Sequence, residues 1–144
     1  SSDLVFSAEI LKGFGGVPFG ALSQDVESAF GKPDQTEELD PGDGSAAPVW
    51  HYWSHGFSIF FDSENNDRFC CIEVDSSVLL ELNGRTVFKE NETGIRSFME
   101  GLRYAKVEEE MHEWGEKRVT FEDVGVDYYF EKGVLVSINF GAIL

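Results

Sequence analysis

Three histidines, two adjacent cysteines and a large excess of carboxylates are the residues of this 144-residue chain with the chemistry to hold a metal, attack a substrate or move a proton. A metal needs several ligands about 2.0–2.3 Å from one point. His51 and His55 are four residues apart, and on an extended strand that spacing separates them by about 13 Å, too far to share one ion. His112 lies in "EEEMHEWGE". On a helix it would stand one turn from Glu108, giving one nitrogen and one carboxylate with no second histidine nearby, which reads as a solvated face. No spacing among the 27 acids singles out two for acid and base work. The expectation is no metal, no cofactor and no catalytic residue set.

Cys70 and Cys71 are neighbours. On an extended chain they point to opposite faces, so no disulfide is expected between them. Cys71 on an outer sheet face, with His51 on a neighbouring strand, is compatible with a thiol and imidazole pair. That supplies the enzymatic alternative: a small-molecule-binding or hydrolytic protein with a pocket between two halves of the chain and Cys71 or His51 as the reactive group. "GFGGVPFG" is rich in glycine but lacks the Lys-Ser/Thr ending of a phosphate-binding loop and the spacing of a dinucleotide fingerprint. Its glycines read as a turn. The "NET" triplet at Asn91 matches a glycosylation sequon too short to carry weight.

The elements that must hold these residues follow from an internal repeat. Shifted by 69 residues, "ILKGFGGVPF" falls on "LLELNGRTVF", "LSQDVESAFG" on "NETGIRSFME", and "YWSHGFSIFFD" on "FEDVGVDYYFE". The last pair, "FCCIEV" and "LVSINF", aligns after a shift of 66, the difference lying between the loops "SENND" and "EKG". The reading is one domain over 1–144 with internal repeats 10–78 and 79–144. Each repeat is a strand, a helix and three strands. Ser23, and Asn91 or Thr93, supply helix-start chemistry, while Gly31 followed by Pro33 stops the first helix. Tyr104 to Lys117 fits either a helix or a strand beginning near Met111, and its counterpart "TEELDPGDGSAAP" reads as a loop.

Alternation then separates two faces. Val119, Phe121, Val126, Tyr128 and Phe130 form an apolar row, which maps back onto Trp50, Tyr52, Phe57, Ile59 and Phe61. Ile72, Val74, Ile138 and Phe140 join them in the core. His51, Trp53, Phe60, Glu73, Glu122, Asp127 and Tyr129 are left on the other face. The expected fold class is therefore α+β: two tandem strand-helix-three-strand repeats forming an antiparallel sheet, with helices packed on one face and the other face open.

A formal charge of −16 repels nucleic acid and anionic lipid. The rows on the open face hold almost no Lys or Arg, unlike an RNA-binding sheet. No basic n-region with an apolar h-region opens the chain, and no apolar run approaches a membrane span. A cytoplasmic location is expected, with an exported precursor left open because the chain starts at "SSDLVFS".

"VPFGALSQDVESAFGKPD", leading into a sheet and then repeated, resembles the tandem-repeat fold of the beta-lactamase inhibitory protein family. The single unit is similar to BamE/SmpA-like domains, and small acidic chains of this kind also resemble the immunity proteins of polymorphic or contact-dependent toxin systems. The disulfides of the inhibitor family are not matched. The resemblance implies a non-catalytic, acidic protein-binding protein of immunity or inhibitor type. Its partner would be a basic protein, a toxin being the example the resemblance supplies. The docking residues would be the seven of the open face, Trp53 to Tyr129 with His51.

Overall fold

The computed structural model describes residues 5–40 and 46–144. The readings of the chain start at Ser1 and of the middle of the 36–48 loop fall on 1–4 and 41–45, outside the described residues. In chain order the elements are β1 (Val5–Glu9), β2 (Gly13–Phe14), β3 (Val17–Pro18), α1 (Ser23–Phe30), β4 (Gln35–Leu39), β5 (Ala47–Tyr52), β6 (Phe57–Asp62), β7 (Arg68–Asp75), β8 (Leu79–Leu82), β9 (Arg85–Thr86), α2 (Glu92–Gly101), β10 (Val107–Met111), β11 (Glu116–Phe121), β12 (Val126–Glu131) and β13 (Val134–Gly141).

The strands make two sheets. The larger has eight antiparallel strands in the order β10-β11-β12-β13-β7-β6-β5-β4, and the smaller has five in the order β3-β2-β1-β8-β9. The smaller is mixed, because β1 runs antiparallel to β2 but parallel to β8, with Val5 opposite Leu79 and Ala8 opposite Leu82. Asn83 locks that junction by accepting the Ile10 N–H on its side-chain oxygen at 2.8 Å.

This overturns the expected α+β layout of one helix-covered sheet with an open face. The chain is mostly strand, with two short helices among the described residues, and the helices share the inner face of the large sheet with a second sheet. Two segments account for the difference. The glycine-rich hairpins, read as lead-ins to the helices, pair through β1 into the small sheet. The acid-rich stretches "QTEEL" and "VEEEM" form the outermost strands of the large sheet, and the second settles Tyr104 to Lys117 as strand and turn. Every residue of both edge strands is exposed. Their carboxylates face a would-be strand partner with like charge, a protection against edge-to-edge pairing.

The inner face is apolar and aromatic. Ile59, Ile72, Val74, Val119, Tyr128 and Ile138 are fully buried. From the small sheet, Phe6 and Phe14 pack on Phe57 at ring separations of 5.4 and 5.0 Å. Phe19, in the link to α1, meets Phe69 at 4.9 Å. From the helices, Phe30 meets Phe57 at 5.2 Å, and Met99 sulfur accepts the Tyr128 hydroxyl at 3.2 Å. Trp50 is only half buried and leans on Phe61. Edge-to-face pairs of this kind each add about 0.5–1.5 kcal/mol beyond the area they bury.

Both helices are short, so capping and packing decide them. Asn91 caps α2, its side chain accepting the Gly94 N–H at 2.8 Å. Ser23 is instead the first residue of α1. The N-cap there is Leu22, which makes no side-chain bond, and α1 is anchored by buried Val26 and stopped by Gly31 at φ 82°. Only a residue at ease in the left-handed region fits that stop.

The halves of the large sheet are related by the offsets read in the sequence. β5 and β6 correspond to β11 and β12 at 69, and β7 to β13 at 66. The bridge between Leu22 and Arg68 has its counterpart between Asn91 and Val134. At the seam, the Ala142 N–H donates to the Cys70 carbonyl and the Ser76 N–H to the Val136 carbonyl, at 2.9 and 3.0 Å. Each half also carries a β-bulge. Phe60 opposes Cys71 and Phe61 opposes Phe69, leaving Cys70 extra; Tyr129 opposes Ser137 and Phe130 opposes Leu135, leaving Val136 extra. The whole pattern is an approximate two-fold axis through the centre of the large sheet.

Candidate functional site

Register places the outward side chains of the large sheet in rows that cross it from edge to edge. The central row runs Gln35, His51, Ser58, Glu73, Asn139, Asp127, Thr120 and Glu108, each directly opposite the next. Three of the seven expected docking residues, His51, Glu73 and Asp127, lie in it. The other four lie to either side. Phe60 is in the flanking row with Val49, Cys71 and Gly141. Glu122 follows β11 at the same end, its N–H donating to the Lys106 carbonyl at 2.8 Å. Tyr129 is in the opposite flanking row with Ser137 and Arg118, and Trp53 follows β5 at that end. Alternation thus brings the seven onto one face without gathering them into one pocket.

That face is not bare. Its side chains bond one another. His51 is held on both ring nitrogens, Nδ1 against Ser58 Oγ at 2.8 Å and Nε2 against Glu37 Oε1 at 2.6 Å. Arg118 donates to Glu110 at 2.8 Å and Glu108 at 3.2 Å, and lies 3.8 Å from Asp127. It also donates to the Thr120 hydroxyl, which in turn donates to Asp127. Glu110 is held below the ordinary carboxylate range by its hydrogen bond from Arg118. Glu108 is held low by a hydrogen bond shared with Glu122 and then by Arg118. Solvent screens exposed pairs of this kind, so they organise the face more than they stabilise the fold.

Two groups remain for an outside partner. Glu73 and Glu116 make no ion pair among the described residues and border a hollow of about 270 Å³ with Tyr129, Ser137 and Asn139. Trp53 is 59% exposed, and its indole stacks on the His51 ring at 4.9 Å. The Tyr104 to Lys117 segment does not cover it. Trp114, 71% exposed, stacks in the same way on His112 at 4.4 Å. These two indole and imidazole stacks sit on the outer turns of the same end of the sheet, where Tyr129 and Arg118 also lie.

The reactive pairing considered for Cys71 is not formed. No hydrogen bond joins it to His51 among the described residues, and its partner is Cys70, sulfur to sulfur at 3.7 Å. The bulge explains this. The extra residue breaks the alternation that would have turned the neighbouring side chains apart. The hydrogen bond with Cys70, and then burial, push the Cys71 thiol up, the reverse of an activated nucleophile. Among the described residues, no group of three or more His, Cys, Asp or Glu is placed to hold a metal ion. His55 stacks on Tyr52 and Phe57 in the turn between β5 and β6. No helix among the described residues is long and apolar enough to cross a membrane.

Sequence reading missed Arg118, which organises the acids of the second half, and the aromatic pair at Trp114. Arg118 shares the parity of Thr120 and Glu122 and was legible as outward; Trp114 was hidden by the helix-like spacing of its segment. Compared with protein-family models, with curated proteins and with solved structures, the chain matches none.

Proposed function

We propose that this is a non-catalytic binding protein of the immunity or inhibitor type, which docks a cationic protein on the outer face of its eight-stranded sheet. The observation that carries the reading is the combination on one face of Glu73 and Glu116, carboxylates that make no ion pair among the described residues, with the exposed Trp53 and the half-buried Tyr129. Aromatic anchors give contact area at small entropic cost, and a surrounding field of one sign steers a partner of the other. The −16 charge of the chain adds long-range attraction for a basic protein and repels nucleic acid.

A nuclease or other basic toxin has the right charge. Such a partner would present Lys and Arg to the central row and an apolar or planar group to Trp53. Affinity capture from the source cell tests this with paired baits, the native chain and the charge-reversed Glu73→Lys/Asp127→Lys chain. A basic protein held by the first and lost from the second supports the reading. Equal recovery on both baits, or no partner on either, contradicts it.

A further inference from the structure

Beyond partner docking, the geometry points to a second site: we propose that Cys70 and Cys71 form a chelating dithiol for a trivalent, thiophilic ligand of the organoarsenical class. Three observations carry it. The bulge in β7 places two adjacent thiols side by side, with sulfurs 3.7 Å apart. A pyramidal trivalent centre bound to two sulfurs by bonds of roughly 2.3 Å, at an angle under the tetrahedral one, spans sulfurs roughly 3.4–3.5 Å apart. A closure of a few tenths of an ångström, within the reach of side-chain torsion, completes the chelate.

The same geometry disfavours a disulfide. Sulfurs must close to about 2.05 Å, and bridged residues ordinarily keep Cα atoms 4.4–6.8 Å apart, whereas neighbours across a trans peptide are held at about 3.8 Å. Oxidation of this pair would strain the backbone, and capture of a larger bridging atom would not.

The fold does not demand cysteine here. The two-fold counterpart of the bulge carries Val136 and Ser137 in place of Cys70 and Cys71. A cleft of about 410 Å³ lies against both thiols, with Leu11, Val124 and Ile143 among its apolar walls and Glu122, Asp123 and Asp127 among its polar ones. An aryl or alkyl substituent on the bound centre would occupy it. Cys70 donates to the Phe60 carbonyl at 3.3 Å, and the hydrogen bond with Cys71 holds its thiol below its ordinary range.

With phenylarsine oxide as probe, the two S–H bonds and the arsenic–oxygen bonding of the oxide break and two arsenic–sulfur bonds form. Both protons leave on the oxide oxygen as water, and arsenic stays trivalent. The test is intact-mass analysis of the native chain with phenylarsine oxide in excess glutathione. The expected result is one phenylarsenic group per chain, kept against the monothiol and released by ethanedithiol. Cys70→Ser and Cys71→Ser should each weaken retention roughly a hundredfold, the loss expected when a two-point attachment becomes one-point. Thermal unfolding run alongside shows that both variants are folded. Loss of the adduct to glutathione in the native chain, retention by either folded single variant, or a native chain isolated with no free thiols would each overturn the proposal. None of these readouts depends on the docking of a basic protein.

Discussion

Glu73 and Asn139 face one another at the seam between β7 and β13, and each is the other's counterpart under the two-fold relation of the sheet. The axis therefore passes between a carboxylate and a shorter, neutral amide. In the halves beside them the chain diverges: His51 bridged to Ser58 and Glu37 on one side, Arg118 gathered among Glu108, Glu110 and Asp127 on the other. One backbone plan thus carries two differently charged surfaces that meet at the Glu73 carboxylate.

Ile72, beside that pair and facing inward, is fully buried at the seam. Ile72→Ala removes methyl groups from a site closed by both halves, and should destabilise the fold by about 2–5 kcal/mol. Urea unfolding followed by tryptophan fluorescence measures it. A loss smaller than about 1 kcal/mol would mean that the two halves do not share one tightly packed core.

The Tyr52 hydroxyl donates to the Gly31 carbonyl at 2.8 Å, tying the end of α1 to β5, and burial pushes that hydroxyl up to about 12. Tyr52→Phe keeps the ring and removes the bond, with an expected cost of about 1 kcal/mol. Amide exchange should quicken in α1 before it changes in β5 to β7.

Lys117 and Arg96 both reach Glu92 in the first turn of α2, at 3.0 and 2.9 Å, and Glu109 lies 3.6 Å from the same ammonium. Burial opposes ionisation of Glu92, but hydrogen bonds from Lys117 and Arg96 outweigh it and hold its carboxyl below 4.5. A depressed folded value means that the unfolded chain binds the proton more readily. The stabilisation is therefore complete above the ordinary value and is lost as pH falls through the folded one. Lys117→Met should raise the Glu92 value and lower stability at neutral pH, and the gap from the native chain should close in acid. A carboxylate NMR titration paired with unfolding at neutral and acid pH reads both effects.

Trp53 is exposed and Tyr129 half buried, so replacing them tests binding more than folding. Trp53→Ala should alter stability by less than about 0.5 kcal/mol. With Tyr129→Ala added, affinity for the captured partner should fall by more than about 2 kcal/mol, the scale of a hot-spot loss. Binding that survives in the double variant would move the docking surface elsewhere.

The inner face of β6 and β12 was legible because its residues alternate without a break: Val126, Tyr128 and Phe130 are all buried, as are Phe57, Ile59 and Phe61. Strands β4 and β10 were not legible, because a strand exposed along its whole length shows no alternation, and each exists by pairing with the edge that β5 or β11 presents. The small sheet was hidden for a related reason: β2, β3 and β9 have two residues each, too few for any period. The outward positions of His51, Glu73 and Asp127 followed from parity, since a register fixed on one face fixes the other. The thiol pair did not, because it depends on a one-residue bulge that reverses parity at Cys70 and leaves no mark in composition.

The proposed docking of a basic protein engages both the acidic row and the aromatic end of the outer face. Calorimetric titration of the captured partner, in low and in high salt, tests it most directly when the native chain is compared with Glu73→Lys/Asp127→Lys. Binding should weaken at least about tenfold in high salt and by a similar factor on charge reversal at low salt. An affinity unchanged by both salt and charge reversal would contradict that docking.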